Sequence, residues 1–300
     1  MNLLEQMNFD LGIDKQYIQY CGKRNNLYAR YYIKKKNGGR REILQPSKEL
    51  KALQYWLIRN IFNQFPISPY SAAYQKGCSI RKNAICHQNG KYILHTDIVH
   101  FFESITKKSM ISFLQRNKDI INALQLSNEE INLILNLVLY KGQYLVVGSV
   151  ASPMISNCVM YEFDMKLGEL VEKLNMNYTR YADDIVISSD NYIDDSILND
   201  IDSLLSEYDF KRNVSKTFFM CKRKKREITG LVIDNNDNSL SIGHKKYSQL
   251  KRDIYNYLVK KQGNCSQIKG KLAHLKNVNV DRYIAIKKTY SRYDKSNEIF

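Results

Sequence analysis

The chain has 300 residues and a formal net charge of +16 at pH 7, from 46 lysine and arginine against 30 aspartate and glutamate residues. Its apolar content of 44% is typical of a globular protein, and it has no run of about 18 apolar residues that would span a membrane. The start has no basic region followed by a long apolar stretch, and the six cysteines show no CxxC spacing. We therefore expect a cytoplasmic protein with reduced thiols, no disulfides and no zinc site.

The predicted elements mix helices with hairpin strands, in this chain order: a helix over 47–65, a strand and turn over 91–102, a helix over 127–140, a helix over 152–175, two strands over 176–190 that fold back at Ala182–Asp184, a strand over 226–234, a turn over 235–239, and helices from about 244 onward. Ser47 and Ser127 are plausible N-caps of the first two helices, and Ser152 with Pro153 opens the third. Long helices combined with hairpins favour an α+β fold with an antiparallel sheet.

Positive charge is concentrated at the C-terminal end. From Lys245 onward there are 14 basic and 4 acidic residues, which supply +10 of the net charge, and six tyrosines lie among them. Basic groups neutralise phosphates, and aromatic rings stack on bases. We expect nucleic acid to bind here; the alternative is a basic solvated surface over a helical core that contains some of these tyrosines.

The stretch "TRYADDIVISSD" places Asp183 beside Asp184 in an otherwise apolar run. Like charges in a half-buried place are costly unless cations neutralise them, and Mg²⁺ binds through carboxylates plus substrate phosphates. Adjacent strand residues point to opposite faces, so a third carboxylate is needed, and Asp97 at the end of an apolar strand is the best candidate. Two Mg²⁺ ions held there would suit phosphoryl transfer. The alternative is a helix-capping Asp97 and an exposed acidic turn.

Tyr-Ala-Asp-Asp, together with "DIVHFF" upstream, resembles the YxDD box and the preceding acidic box of reverse transcriptases. The resemblance extends over about residues 30 to 290. It implies an RNA-directed DNA polymerase in which Asp97 and Asp183 chelate the metals and Asp184 assists. Phe102 would be the aromatic residue that blocks a ribose 2′-OH and so selects dNTPs; the alternative for it is a core aromatic.

The family's right-hand fold divides this chain into three expected parts. Residues 1–92 would form N-terminal helices and fingers, and residues 93–235 a palm with an antiparallel sheet and interleaved fingers helices. Residues 236–300 would form a short helical thumb that binds RNA.

Three further segments resemble the family's nucleotide-binding boxes. In "NGGRREILQP" (37–46) the resemblance implies that Arg41 holds the triphosphate, and in "NVSKTFF" that Lys216 donates a proton to the leaving pyrophosphate or offsets its charge. In "YLVVGSVASPMISN" Gly148 would let the backbone approach the nucleotide, but Val147 and Val150 stand where the family usually has glutamine and proline. A solvated basic hairpin and a surface salt bridge are the alternatives for the first two.

"NAICH" and "ITG" resemble two motifs of bacterial retron reverse transcriptases, with isoleucine in the second where valine is usual. The retron resemblance implies that Asn83, His87, Thr229 and Gly230 contact RNA. It also implies copying of a cognate noncoding RNA, primed from an RNA 2′-OH, into branched multicopy single-stranded DNA, in an anti-phage system with a separate effector protein.

Other readings stay open at this point. The chain is alternatively a group II intron-like, diversity-generating or CRISPR-associated reverse transcriptase, or a catalytically idle reverse-transcriptase fold that binds RNA. Asn83 and His87 are alternatively an i,i+4 helix pair that holds local structure.

Overall fold

The computed structural model describes residues 2–24, 26–35 and 38–300. Its helices are α1 (Leu3–Leu11), α2 (Lys15–Lys23), α3 (Lys48–Asn60), α4 (Ile80–His87), α5 (Phe101–Ser104), α6 (Lys107–Arg116), α7 (Lys118–Ala123), α8 (Asn128–Val138), α9 (Ser152–Val159), α10 (Tyr161–Lys173), α11 (Ile197–Glu207), α12 (His244–Leu258), α13 (Cys265–Val278) and α14 (Val280–Tyr290). Its strands are β1 (Tyr28–Lys34), β2 (Arg40–Pro46), β3 (Tyr92–Asp97), β4 (Asn177–Tyr181), β5 (Asp184–Ser189), β6 (Phe218–Cys221), β7 (Arg226–Ile228), β8 (Leu231–Ile233) and β9 (Leu240–Ser241).

The strands pair in antiparallel sheets, as expected for an α+β fold. The central sheet has the order β4-β5-β3-β6, β1 and β2 form a separate hairpin, and β7-β8-β9 form a small sheet. Within the described ranges, no helix is long and apolar enough to cross a membrane.

Both faces of the central sheet are covered, which explains why its inner strands are almost continuously apolar. On one face Leu94 and Ile187 belong to a large core built with the helices α3 and α8 to α11. On the other face Ile93 and Val186 belong to a second core with α4, the small sheet and the C-terminal helices. On this second face, where β3 ends and β5 begins, His95 and Asp184 line an open cavity.

The predicted starts of two helices are confirmed. The Ser47 side chain accepts a hydrogen bond from the backbone of Leu50 at the start of α3. Ser127 and Glu130 form a capping box that opens α8.

The six cysteines are all free thiols in the structure.

Two elements that were predicted to be continuous are each divided in two. The helix expected over 152–175 is interrupted at Met160, which ends α9 and precedes α10. The apolar periodicity continues through this break because both helices bury side chains in the same core. The strand expected over 226–234 is a hairpin, because Thr229 and Gly230 both have positive φ, 45° and 83°, which suits a tight two-residue turn.

The three-part division at residues 92 and 235 stays a prediction. Leu53 and Leu94, on either side of the first boundary, lie in the same core, and so do Ile93 and Ile254 in the other. Asn37, the first residue of the 37–46 segment, and Lys36 just before it lie outside the described residues.

Candidate active site

The structure brings Asp97 together with the Asp183–Asp184 pair. Asp97 is the last residue of β3 and lies directly opposite Asp184, the first residue of β5. Opposite residues of antiparallel strands point to the same face, so these two carboxylates share the open end of the sheet. Asp183 occupies the tight turn after Ala182, whose φ is +58°, and its carbonyl accepts a hydrogen bond of 3.0 Å from Ile98 N.

This arrangement concentrates negative charge. Burial, followed by the negative charges of Asp184 and Asp97, raises the pKa of Asp183 to about 6. A bound divalent cation would relieve this repulsion on Asp183.

Asp97 is almost fully buried and has its own cation. Lys216 Nζ lies 2.7 Å from Asp97 Oδ2, and Asn213 Nδ2 donates a hydrogen bond of 3.2 Å to Oδ1. The Lys216 side chain is 55% exposed, so it has room to leave this contact. Asn213 is further fixed because its backbone N–H donates to the Asp97 carbonyl at 2.7 Å.

Asp184 contacts a histidine whose role was not predicted from the sequence. His95 Nε2 lies 3.2 Å from Asp184 Oδ1, and the imidazole stacks on Phe218 with ring centroids 4.8 Å apart. The available signal was spacing, because His95 precedes Asp97 by two residues and so shares its face of β3.

The residues fit a divalent metal in chemistry and register. Carboxylates on adjacent strands are the donors that Mg²⁺ prefers. As the side chains stand, no group of three or more His, Cys, Asp or Glu among the described residues is gathered closely enough to hold a metal ion. Lys216 and His95 each contact one of the carboxylates, Asp97 and Asp184 respectively.

A buried ion pair stabilises the β4–β5 hairpin that carries Asp183 and Asp184. Arg180 donates from Nε and Nη2 to both oxygens of Asp164, at 2.8 and 2.7 Å, and both side chains are fully buried. Arg180 Nη1 also donates to the Ala182 carbonyl at 3.0 Å, which fixes the turn that carries Asp183. The sequence showed Arg180 inside the motif, but nothing in it indicated Asp164 as the partner.

The predicted nucleotide-binding residues Arg41, Gly148 and Phe102 lie on three separate parts of the chain. Arg41 is exposed on β2. Gly148 has a φ of +106°, and a Cβ there would lie 2.7 Å from Ile43 Cγ2, so glycine lets this loop press on β2. The backbone N–H of Leu44 also donates a hydrogen bond of 2.9 Å to the Val147 carbonyl. Because this bond joins two backbone groups, it does not depend on which side chain stands at residue 147. Phe102 is half-buried in α5.

Asn83 and His87 lie in the interior, between α4 and the strands of the acidic hairpin. Thr179 Oγ1 donates to Asn83 Oδ1 at 2.5 Å, so it accepts from His87 Nε2–H at 2.7 Å. The other ring nitrogen of His87 then accepts from Ser188 Oγ at 2.7 Å. Both motif residues are about 1% exposed or less, which matches the helix-pair alternative and gives no access to RNA in this conformation.

His87 gives the protein a pH-dependent stability. Burial lowers its pKa from 6.5 to about 3, so it is neutral in the folded protein, whereas the unfolded chain binds a proton below about pH 6.5. The contribution of His87 is therefore complete above pH 6.5, and it falls by about 1.4 kcal/mol for each pH unit well below that. Asp183 acts in the opposite direction, because its raised pKa favours the folded protein as the pH falls through about 6. The measurement is therefore the difference between the wild type and His87→Gln in urea denaturation at pH 7.5, 6.5 and 5.5, and the wild type should lose stability relative to the variant between pH 6.5 and 5.5. Parallel slopes would contradict the burial of a neutral imidazole.

Thr229 and Gly230 lie on the surface near the acids. They line an open cavity of about 820 Å³ together with His95 and Asp184. The Thr229 hydroxyl donates to the Ile80 carbonyl at 3.4 Å, which joins this turn to the start of α4. Unlike Asn83 and His87, these two residues are accessible to a large ligand.

Comparison with known proteins agrees with this geometry. Residues 33–233 match the family model "Reverse transcriptase (RNA-dependent DNA polymerase)". Retron Ec73 reverse transcriptase from Escherichia coli is 31% identical over 86% of this chain and 85% of its own length. Retron Ec86 reverse transcriptase, also from E. coli, is 29% identical over 84% of this chain and 76% of its own.

Among solved structures, apo telomerase from Candida tropicalis superposes with a TM-score of 0.50 at 12% identity, over 89% of this chain and 58% of the telomerase chain. This likeness concerns the fold, which is that of a right-hand polymerase. The matched family implies a divalent metal cofactor, in agreement with the acidic donor set. The chain is an RNA-directed DNA polymerase and belongs to the retron reverse transcriptases.

Proposed function

We propose that Asp97, Asp183 and Asp184 hold two Mg²⁺ ions and form the polymerising centre. The observation that carries this proposal is the register of β3 against β5, which sets Asp97 opposite Asp184 beside the turn residue Asp183. Bound ions would supply Lewis-acid stabilisation of the attacking hydroxyl and of the leaving phosphate oxygens. The chain's own part is to orient the carboxylates through His95 and to keep the turn rigid through Arg180.

The neighbouring residues have proposed roles in binding the nucleotide. Arg41 presents a planar donor fork to the triphosphate, and Gly148 keeps its loop close to that strand. Phe102 excludes a ribose 2′-OH. Lys216 neutralises Asp97 in the unliganded protein, and once released it offsets the charge of the leaving pyrophosphate or protonates it.

The nucleic acid is proposed to be a cognate noncoding RNA, gripped by the C-terminal helices as a thumb over residues 236–300. An open cavity of about 580 Å³ there is lined by Lys251, Tyr255, Lys260 and Tyr290. Lys260 Nζ lies 6.0 Å from the centre of the Tyr255 ring, so charge and ring face the same groove. Such a surface suits phosphate contacts with base stacking.

The remaining parts of the retron prediction are supported unequally by the structure. Thr229 and Gly230 are accessible for RNA contact at the cavity beside the acids. Direct RNA contact by Asn83 and His87 stays a prediction, and their burial argues for a supporting role. Branched DNA primed from an RNA 2′-OH, a separate anti-phage effector and a cytoplasmic location rest on membership of the retron group. The fingers and palm over residues 1–92 and 93–235 rest on the right-hand fold.

Nucleic acid that copurifies with the protein tests the proposal. The wild type, expressed with its neighbouring genomic DNA, should carry DNA joined to one RNA species through a 2′,5′ linkage, which survives RNase as a branched nucleotide. Asp183→Asn should carry the same RNA without DNA. RNA of random sequence, or DNA without a branch, would contradict a retron product; unaltered RNA on both proteins would indicate the catalytically idle alternative.

The same preparation tests the thumb. The double variant Lys251→Gln, Lys260→Gln should retain less RNA than the wild type. A plot of the logarithm of its RNA affinity against the logarithm of salt concentration should have a shallower slope, by about 0.7 to 0.9 for each phosphate that the variant no longer neutralises. Lys118→Gln combined with Lys173→Gln removes two exposed charges elsewhere and is the matched control. Equal reductions in RNA affinity in both double variants would remove the argument for a specific groove.

A further inference from the structure

Tyr74 is held beside the acidic turn by its backbone. Ser71 forms a parallel bridge with Arg180 of β4, flanked by hydrogen bonds of 2.9 Å from Arg180 N to the Tyr70 carbonyl and 2.7 Å from Ala72 N to the Arg180 carbonyl. Tyr74 follows this bridge by three residues, and the turn that carries Asp183 follows Arg180 by the same number. No sequence motif indicated a role for this tyrosine.

The segment is fixed from the interior by Asn157. Its Nδ2 donates to the Ala73 carbonyl at 2.9 Å, and its Oδ1 accepts from the Ser71 hydroxyl at 3.0 Å. Asn157 is fully buried, so the backbone just before Tyr74 has little freedom.

Tyr74 itself is strained and unpaired. Its φ is +62°, in the left-handed region that a tyrosine rarely adopts, and such strain persists where the surroundings impose it, often at functional sites. The side chain is 44% exposed. Within the described ranges its hydroxyl has no hydrogen-bond partner, although other tyrosines of this region do, such as Tyr70 with Glu172 and Tyr178 with Asp164.

The charges around the phenol come from both sides of the expected nucleotide site. Burial and the negative charge of Asp183 raise the pKa of Tyr74 to about 12, against the opposing effect of the positive charges of Arg180 and Arg41. The hydroxyl therefore keeps its proton at neutral pH and is a donor. Asp183 and Arg41 both lie close enough to act electrostatically on this hydroxyl, and they are the proposed metal-binding and triphosphate-binding groups.

We propose that the Tyr74 hydroxyl donates a hydrogen bond to a phosphate of the incoming deoxynucleoside triphosphate, between Arg41 and the acidic turn. This inference rests on the proposed function, because it takes Arg41 and Asp183 as the flanks of the nucleotide site. A phosphate of the template or primer offers the same chemistry, but the influence of both Asp183 and Arg41 on this hydroxyl favours the nucleotide.

Steady-state primer extension on an RNA template tests the inference with Tyr74→Phe, which removes one oxygen and keeps the ring. We expect KM for dNTP to rise about tenfold, as for loss of one hydrogen bond to a charged group, with kcat within about twofold of the wild type. Inhibition by pyrophosphate should weaken by a similar factor. The affinity for the primer–template and the preference for dNTP over rNTP should not change.

Tyr70→Phe is the matched control, since it removes a hydroxyl that bonds Glu172 from the same segment. A Tyr74→Phe enzyme with wild-type KM and wild-type pyrophosphate inhibition refutes the inference and leaves the proposed function standing. A loss of primer–template affinity instead assigns the hydroxyl to nucleic acid and also refutes it. A wild type that extends no primer with any divalent cation refutes both proposals.

Discussion

Replacing Asp183 by asparagine should reduce DNA synthesis by at least about 10²- to 10³-fold, because the loss of one preorganised charged group at a reacting centre has effects of that size. Asp97→Asn should do the same. The measurement is the rate of dNTP incorporation on an RNA template with saturating Mg²⁺. RNA affinity, measured in parallel, should not change in either variant, because the proposed RNA groove lies on the C-terminal helices.

Stability separates this catalytic effect from misfolding. Burial and the charges of Asp184 and Asp97 disfavour the ionised Asp183, so a neutral asparagine should leave the free energy of unfolding equal or higher. Asp190→Asn makes the same chemical change at an exposed position just after β5 and should keep full activity. An inactive Asp190→Asn, or an active Asp183→Asn, would contradict the proposed metal site.

Asp164→Asn should have the largest effect on stability. It removes the carboxylate that accepts two hydrogen bonds from Arg180 and leaves a fully buried guanidinium without a counter-charge. Breaking one partner of such a buried pair costs about 3 to 5 kcal/mol. We expect this loss in urea denaturation near neutral pH, together with lower activity, because Arg180 also holds the Ala182 carbonyl in the acidic turn.

The same helix provides a control for that variant. Lys166 lies two residues from Asp164 and pairs with Glu207 at 2.5 Å, but both side chains are about half exposed. Exposed pairs contribute little, so Lys166→Gln should cost less than about 1 kcal/mol. Similar costs for Lys166→Gln and Asp164→Asn would mean that the Arg180 pair is not the anchor of the hairpin.

The acidic centre was predictable because its residues obey local rules. The doublet at Asp183 and Asp184 stands between two apolar strands, and the alternation of a strand requires a third acid from elsewhere, which Asp97 supplies at the end of its own strand. The register of β3 against β5 satisfies that requirement. The serine caps of α3 and α8 were predictable for the same reason, since a cap involves only neighbouring residues.

Long-range pairings were not predictable in this way. Which carboxylate meets Arg180, and which acid meets His95, depends on how separate elements pack, and no spacing in the chain encodes it. The short motif at Asn83 and His87 suggested RNA contact, but α4 turns these side chains inward onto Thr179 and Ser188. Tyr74 was missed because its position follows from a bridge to Arg180 that only the fold reveals.

The most direct test of the metal-dependent polymerising centre is primer extension by the purified wild type on an RNA template, with and without Mg²⁺. The account predicts DNA extended to the template end in the presence of Mg²⁺ and none after chelation with EDTA, with recovery when Mg²⁺ is restored. Extension that continues undiminished without any divalent cation, or no extension at all in Mg²⁺ or Mn²⁺, would contradict it.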